Sequence, residues 1–122
     1  MAVAYMTTML NTANRKAGFV PNVNATGALA VDLDAGSYDN KIYTLTGNIT
    51  SLTVTGDATS NGTVILKFIQ DATGSRTMPS TGTPLSWASN VIWNQGTLQQ
   101  PNAQASSESV FLGVWDGTNL TF

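Results

Sequence analysis

A chain of 122 residues has room for one domain, burying roughly two-thirds of the surface that its unfolded form would expose. It contains no Cys and no His, which excludes disulfide frameworks, the common zinc sites, thiol nucleophiles and every His-based triad or general base. Charged residues make up 10% of the chain and the net charge is -2, so Arg15, Lys16, Lys41, Lys67 and Arg76 cannot build a stripe that neutralises a run of phosphates, and no direct nucleic-acid contact is expected. No apolar run approaches a membrane span. Arg15 and Lys16 follow the apolar part of Met1 to Gly18 instead of preceding it as in a secretory signal, so synthesis in the cytoplasm and no membrane partner are expected. With few charges, self-repulsion is weak, and ordered self-assembly is one way of avoiding random association.

Residues 1–24 differ from the rest. Met6, Met9, Leu10, Ala13 and Ala17 recur at helical spacing, and Gly18 and Pro21 supply stop signals, which predicts a short amphipathic helix over Ala4 to Ala17. The Thr and Asn residues in the same window suit an extended arm instead, one that reaches on the order of 80 Å when stretched. From Ala25 the pattern turns to period two. Leu29, Val31 and Leu33 alternate with polar or small residues up to a turn at Ala35-Gly36. Tyr38 to Thr46 follows with Tyr43 and Leu45 on one face, Gly47-Asn48 breaks it, and Thr50 to Thr55 sets Leu52 and Val54 on one side.

Thr63 to Gln70 places Val64, Leu66 and Phe68 on one face and Ile65, Lys67 and Ile69 on the other. Apolar bulk on both faces predicts a central strand. Asp71-Ala72-Thr73-Gly74 predicts a three-residue hairpin loop, with a return strand that sets Phe68 opposite Met78 and Gln70 opposite Arg76. After Pro79, the shared parity of Leu85, Trp87, Val91 and Trp93 predicts one or two short strands. A long loop over Asn94 to Glu108 is of a length that usually serves function. Ser109 to Trp115 and Thr118 to Phe122 flank Asp116-Gly117; a two-residue turn there pairs Phe111 with Phe122 and Gly113 with Leu120, with Gly113 clearing space for larger neighbours. The expected fold is all-β: a single antiparallel β-sandwich over residues 25–122, with a jelly-roll variant as the alternative, preceded by an arm or short helix over residues 1–24.

Few side chains gather into chemistry. Asp32 and Asp34 share a strand face and could touch a hard cation, yet no Asp/Gly-rich calcium loop accompanies them, and solvation of an exposed face is the simpler role. Asp71 and Asp116 head turns, where carboxylates bond local amides. Asp39, Asp57 and Glu108 show no spacing that selects a glycosidase pair. Trp87, Trp93 and Trp115 could stack on sugar rings or fill a core. No catalytic residue, metal site or cofactor is expected.

Four stretches occur in a telling order: Leu45-Thr46-Gly47-Asn48-Ile49-Thr50, Gln70-Asp71-Ala72-Thr73-Gly74-Ser75-Arg76-Thr77, Trp93-Asn94-Gln95-Gly96-Thr97 with Pro101, and Val110-Phe111 ahead of Asp116-Gly117-Thr118-Asn119. Together, from about Ala28 to Phe122, they resemble a β-sandwich module that recurs in virion proteins of tailed phages. The chain departs from that module at Met78-Pro79, where the family's strand tends to continue. The resemblance implies a structural, usually trimeric role in head decoration, head fibres or tail fibres, with no catalytic residues to carry over. A single module with a leading arm suits a homotrimeric capsid decoration (cement) protein on the virion exterior. Tyr5, Met6, Met9, Leu10, Arg15, Lys16, Phe19 and Val20 are then the candidates for contact with the major capsid protein. Gln99, Gln100, Asn102 and Gln104 are the candidate contacts of the long loop, which in the alternative, a tail-tip or fibre adhesin, would meet a host surface glycan. A lectin-like module unrelated to virions is a third reading.

Overall fold

The computed structural model describes residues 16–19, 21–34, 38–58 and 61–122. These form β1 (Lys16–Phe19), β2 (Val23–Asp32), β3 (Tyr38–Thr55), β4 (Gly62–Gln70), β5 (Val91–Ile92), β6 (Glu108–Trp115) and β7 (Leu120–Thr121), with no helix among the described residues. All seven join one sheet in the order β1-β3-β4-β6-β7-β5, and β2 also pairs with β3. The all-β expectation holds. The predicted helix over Ala4 to Ala17 lies almost wholly outside the described residues, and its last two positions begin β1.

The sheet is mixed, not antiparallel as expected. β1, β2 and β4 all pair parallel to β3, as β5 does to β7, and only β4–β6 and β6–β7 are antiparallel. The reason lies in β3, which runs through Gly47-Asn48 where the sequence suggests a break between two strands. A straight strand from Tyr38 to Thr55 would be about 56 Å long. Leu33 donates its amide to the Thr55 carbonyl at 2.7 Å, while Asp34 and Tyr38 are four residues apart and separated by at most about 14 Å. Strand β3 therefore folds back on itself, and β2 follows it.

Two register slips locate the bend. Between Ala25↔Leu45 and Gly27↔Ile49, β3 spends four residues against two on β2, and another extra residue enters before Ala28↔Ser51. Gly27 takes a positive φ of 68°, and a Cβ at Gly47 would run into the Thr26 hydroxyl, so the corner needs both glycines. The slips also change parity: Tyr43 and Leu45 point inward before the bend, Leu52 and Val54 after it. Tyr43 is buried in the first half of β3, and burial, with the Asp32 carboxylate adding to it, pushes the pKa of its hydroxyl up to about 12.

Strand β4 is central, between β3 and β6, as its two apolar faces predict. The predicted hairpin after it does not form, because β6 takes the antiparallel edge and positive φ at Gly74 and Ser75 turns the chain off the ladder. Gln70 still meets Arg76, but through its side chain. The β6–β7 register differs from expectation too: Trp115 pairs with Leu120, so the loop is Asp116–Asn119 and Gly113 faces Phe122 instead of Leu120. The Asp116 carboxylate accepts the amides of Thr118 and Asn119 at 2.8 and 2.6 Å, which holds the wider turn. Gly113 does clear space, since a Cβ there would sit 3.0 Å from the Phe122 ring.

One core unites these parts. Trp87, 1% exposed, meets the rings of Phe68, Trp93, Phe111 and Phe122 at centroid distances of 4.8–5.7 Å, mostly edge-on. Such pairs add about 0.5–1.5 kcal/mol each beyond their buried area. Of the strands expected around Leu85 to Trp93, only β5 forms, and Leu85 is exposed despite sharing parity with Trp87.

Candidate functional site

The carboxylates are occupied locally. Asp71 accepts the amides of Thr73 and Gly74 and pairs with Arg76 at 2.9 Å, so its carboxyl is held below the ordinary value, first by the Arg76 hydrogen bond and then by the Gly74 amide. Asp116 is lowered by the Asn119 and Thr118 amides. Asp34 moves the other way: a hydrogen bond to the Asp32 side chain, burial, and the charges of Asp32 and Asp57 raise it. These three carboxylates gather where β2 and β3 end. Among the described residues, no group of three or more ligating side chains is placed to hold a metal ion.

The tryptophans do not share a platform. Trp87 and Trp115 are buried, donating their indole N–H to the carbonyls of Gln99 and Asp57 at 2.8 and 3.2 Å. Trp93 is partly exposed and stacks on Phe122 at 4.9 Å, with its buried Nε1 unpartnered. It lines a shallow pocket of about 240 Å³ with Asn94, Gln95, Thr97 and Gln99.

The long loop is tied to the domain. Gln100 accepts the Met78 amide at 2.8 Å and donates to the Met78 carbonyl at 3.0 Å, doing for Met78 what a neighbouring strand would do. Gln99 gives its carbonyl to Trp87, and Asn102 accepts the Gln104 amide while donating its own to Ser109 Oγ. Ser75 donates to the Ala103 carbonyl and Ser106 to that of Asp71, so the loop is stapled to the turn after β4. A Cβ at Gly74 would lie 2.7 Å from the Ala103 carbonyl and the Ala105 amide, which explains the glycine. All four candidate loop residues are exposed: Gln99 is tied to Trp87 through its backbone carbonyl and Gln100 to Met78 through its side chain, while Asn102 bonds to Gln104 and Ser109 and Gln104 is engaged through its backbone.

Of the arm candidates, Lys16 and Phe19 begin and end β1, and Phe19 is exposed beside Asn40. Tyr5, Met6, Met9, Leu10, Arg15 and Val20 lie outside the described residues.

Among the described residues, the largest apolar exposure lies on β6. Val110, Leu112 and Val114 are 62, 64 and 54% exposed on one face of the strand, opposite Lys67, Ile65 and Thr63 of β4. Lys67 and Glu108 pair with each other on that face at 3.0 Å. The sequence carried the signal: Val110, Leu112 and Val114 alternate with Phe111 and Trp115, the same two-sided pattern that marks β4 as central. On β6, however, one of the two apolar faces is left open to water. No protein-family model, curated protein or solved structure matches the chain.

Proposed function

We propose that this chain is a non-enzymatic structural protein of a tailed-phage virion, a homotrimeric decoration protein on the capsid exterior. Its N-terminal segment and nearby loops bind the major capsid protein. The observation that carries this reading is the open apolar face of β6. Three copies turning that face toward a common axis would remove Val110, Leu112 and Val114 from water, each worth about 1 kcal/mol or more. The resemblance of the four turn-bearing stretches supports the virion context, and two of them, at Asp71 and Asp116, are turns fixed by their own carboxylates. In this reading the bent β3 serves both layers of a β-sandwich, its Tyr43–Leu45 half facing its Leu52–Val54 half across the core. Bridging contacts then stabilise the assembled shell by mass action, because they exist only on an intact lattice.

The test is the copy number of the chain in purified virions, by quantitative mass spectrometry against the major capsid subunit. A near-stoichiometric ratio is expected; absence from the particle would refute the proposal. A second reading, a tail-tip or fibre adhesin, draws on the Trp93 pocket, where a partly exposed indole stands among amide and hydroxyl side chains that suit a glycan. A handful of copies per virion together with saturable binding to host cells would favour it.

A further inference from the structure

Among the described residues, no strand pairs with one edge of the second half of β3. Thr55 gives its carbonyl to Leu33 on the β2 side, and Val54 gives its carbonyl to Asn90 Nδ2 on the other side at 2.8 Å. Alternation along the strand therefore turns the N–H and C=O of Leu52 away from β2 as well. They face a groove of about 640 Å³ between the edge Thr50–Val54 and a wall that includes Pro79, Ser89 and Thr118. Its ends are closed where Ile49 donates to the Thr77 carbonyl and where Asn90 holds Val54. The open length between them is about 16 Å, or some five extended residues.

A backbone donor and acceptor side by side on a free edge call for an extended polypeptide, which returns both bonds at strand spacing. None of the described residues that line the groove is charged. The occupant must therefore bring no unpaired charge against this wall. We propose that the Thr50–Val54 edge is a strand-acceptor site, and that its occupant is the stretch at positions 1–14 of the same chain. That stretch carries no charged side chain and is rich in Thr.

Its attachment point favours the same chain over a second copy. Strand β1 starts at Lys16 beside Tyr38, and Tyr38 is held within about 14 Å of Asp34, next to the Thr55 end of the groove. Fourteen residues reach up to about 48 Å, enough to cross to the Thr55 end and run along the groove. A strand added there would turn every second side chain outward, free for another contact. The inference stands whether or not the protein belongs to a virion.

The chain has no cysteine, so a cross-linking test is clean. Ser89→Cys in the full chain is combined in turn with Cys at Thr7, Thr8, Met9, Leu10, Asn11 or Thr12, followed by mild oxidation. An intramolecular disulfide at positions of one parity is expected. No bond at any position, equal bonding at both parities, or bonds only between chains would overturn the proposal. Hydrogen exchange on the unmodified protein is the second measurement: the Leu52 amide should exchange at least about tenfold more slowly than in a Thr8→Asp, Leu10→Asp variant. Equal, fast exchange in both would also overturn it.

Discussion

The buried side-chain amide of Gln70 holds the backbone of Arg76 from both ends, Nε2 donating to the carbonyl at 2.8 Å and Oε1 accepting the amide at 3.0 Å. It replaces a ladder step that the chain cannot make there, because β6 already occupies the antiparallel edge of β4. Gln70→Ala removes two hydrogen bonds and leaves the Arg76 groups without partners. The expected loss is about 2–4 kcal/mol, read from urea denaturation. A loss under about 0.5 kcal/mol would mean that water replaces the side chain at no cost.

Gly74 sits where the turn after β4 meets the long loop. Its φ is +75°, and a Cβ would press on the Ala103 carbonyl and the Ala105 amide. Gly74→Ala should therefore cost about 1–3 kcal/mol from backbone strain, with the added effect of pushing the loop off the turn. Loss of exchange protection at the Ser75 and Ser106 amides, which bond across this junction, is the local readout. An unchanged pattern would show that the loop is held elsewhere.

What was legible in the sequence, and what was not, follows from the range of each signal. Leu29, Val31, Leu33, Tyr43, Leu45, Leu52 and Val54 are buried as their period-two spacing predicts, because parity depends on the strand alone. Strand direction does not. Whether β2 and β3 run parallel depends on β3 bending back at Gly47, and Gly-Asn reads locally as a turn as readily as a bulge. The same limit applies to Gln100: a glutamine in a polar loop carries no mark that its amide will pair with Met78, 22 residues away. The open β6 face was half legible. Apolar residues on both sides of the strand were visible, but not which side would lack a cover.

Acidification should weaken the fold through Asp71 and Asp116. Both carboxyls are held below their ordinary value of 3.8 in the folded chain, so their stabilisation is complete above that value and is lost as pH falls through the lower folded values. Asp34 has the opposite sign: its raised carboxyl favours the folded state most when protonated, and that benefit is lost as pH rises through the folded value. Asp34→Asn should therefore raise the melting temperature at pH 7 and leave it nearly unchanged at pH 3. A melting temperature at pH 7 equal to or below that of the parent would show that the Asp32–Asp34–Asp57 cluster costs nothing at neutral pH.

The face of β6 separates folding from assembly. Leu112 is 64% exposed and flanked by Val110 and Val114, so a Lys at this position meets water in a single copy and should change folding stability by no more than about 0.5 kcal/mol. In an assembly that buries the face, the same Lys would bring three like charges together in a site emptied of water, with Glu108 already paired to Lys67 and unable to compensate fully. Sedimentation equilibrium should accordingly show trimers for the parent chain and monomers for Leu112→Lys at the same concentration. Leu112→Met, which keeps the apolar contact, should remain trimeric. Trimers that survive Leu112→Lys would move the interface to another surface, and a monomeric parent chain would remove the trimer from the proposed function.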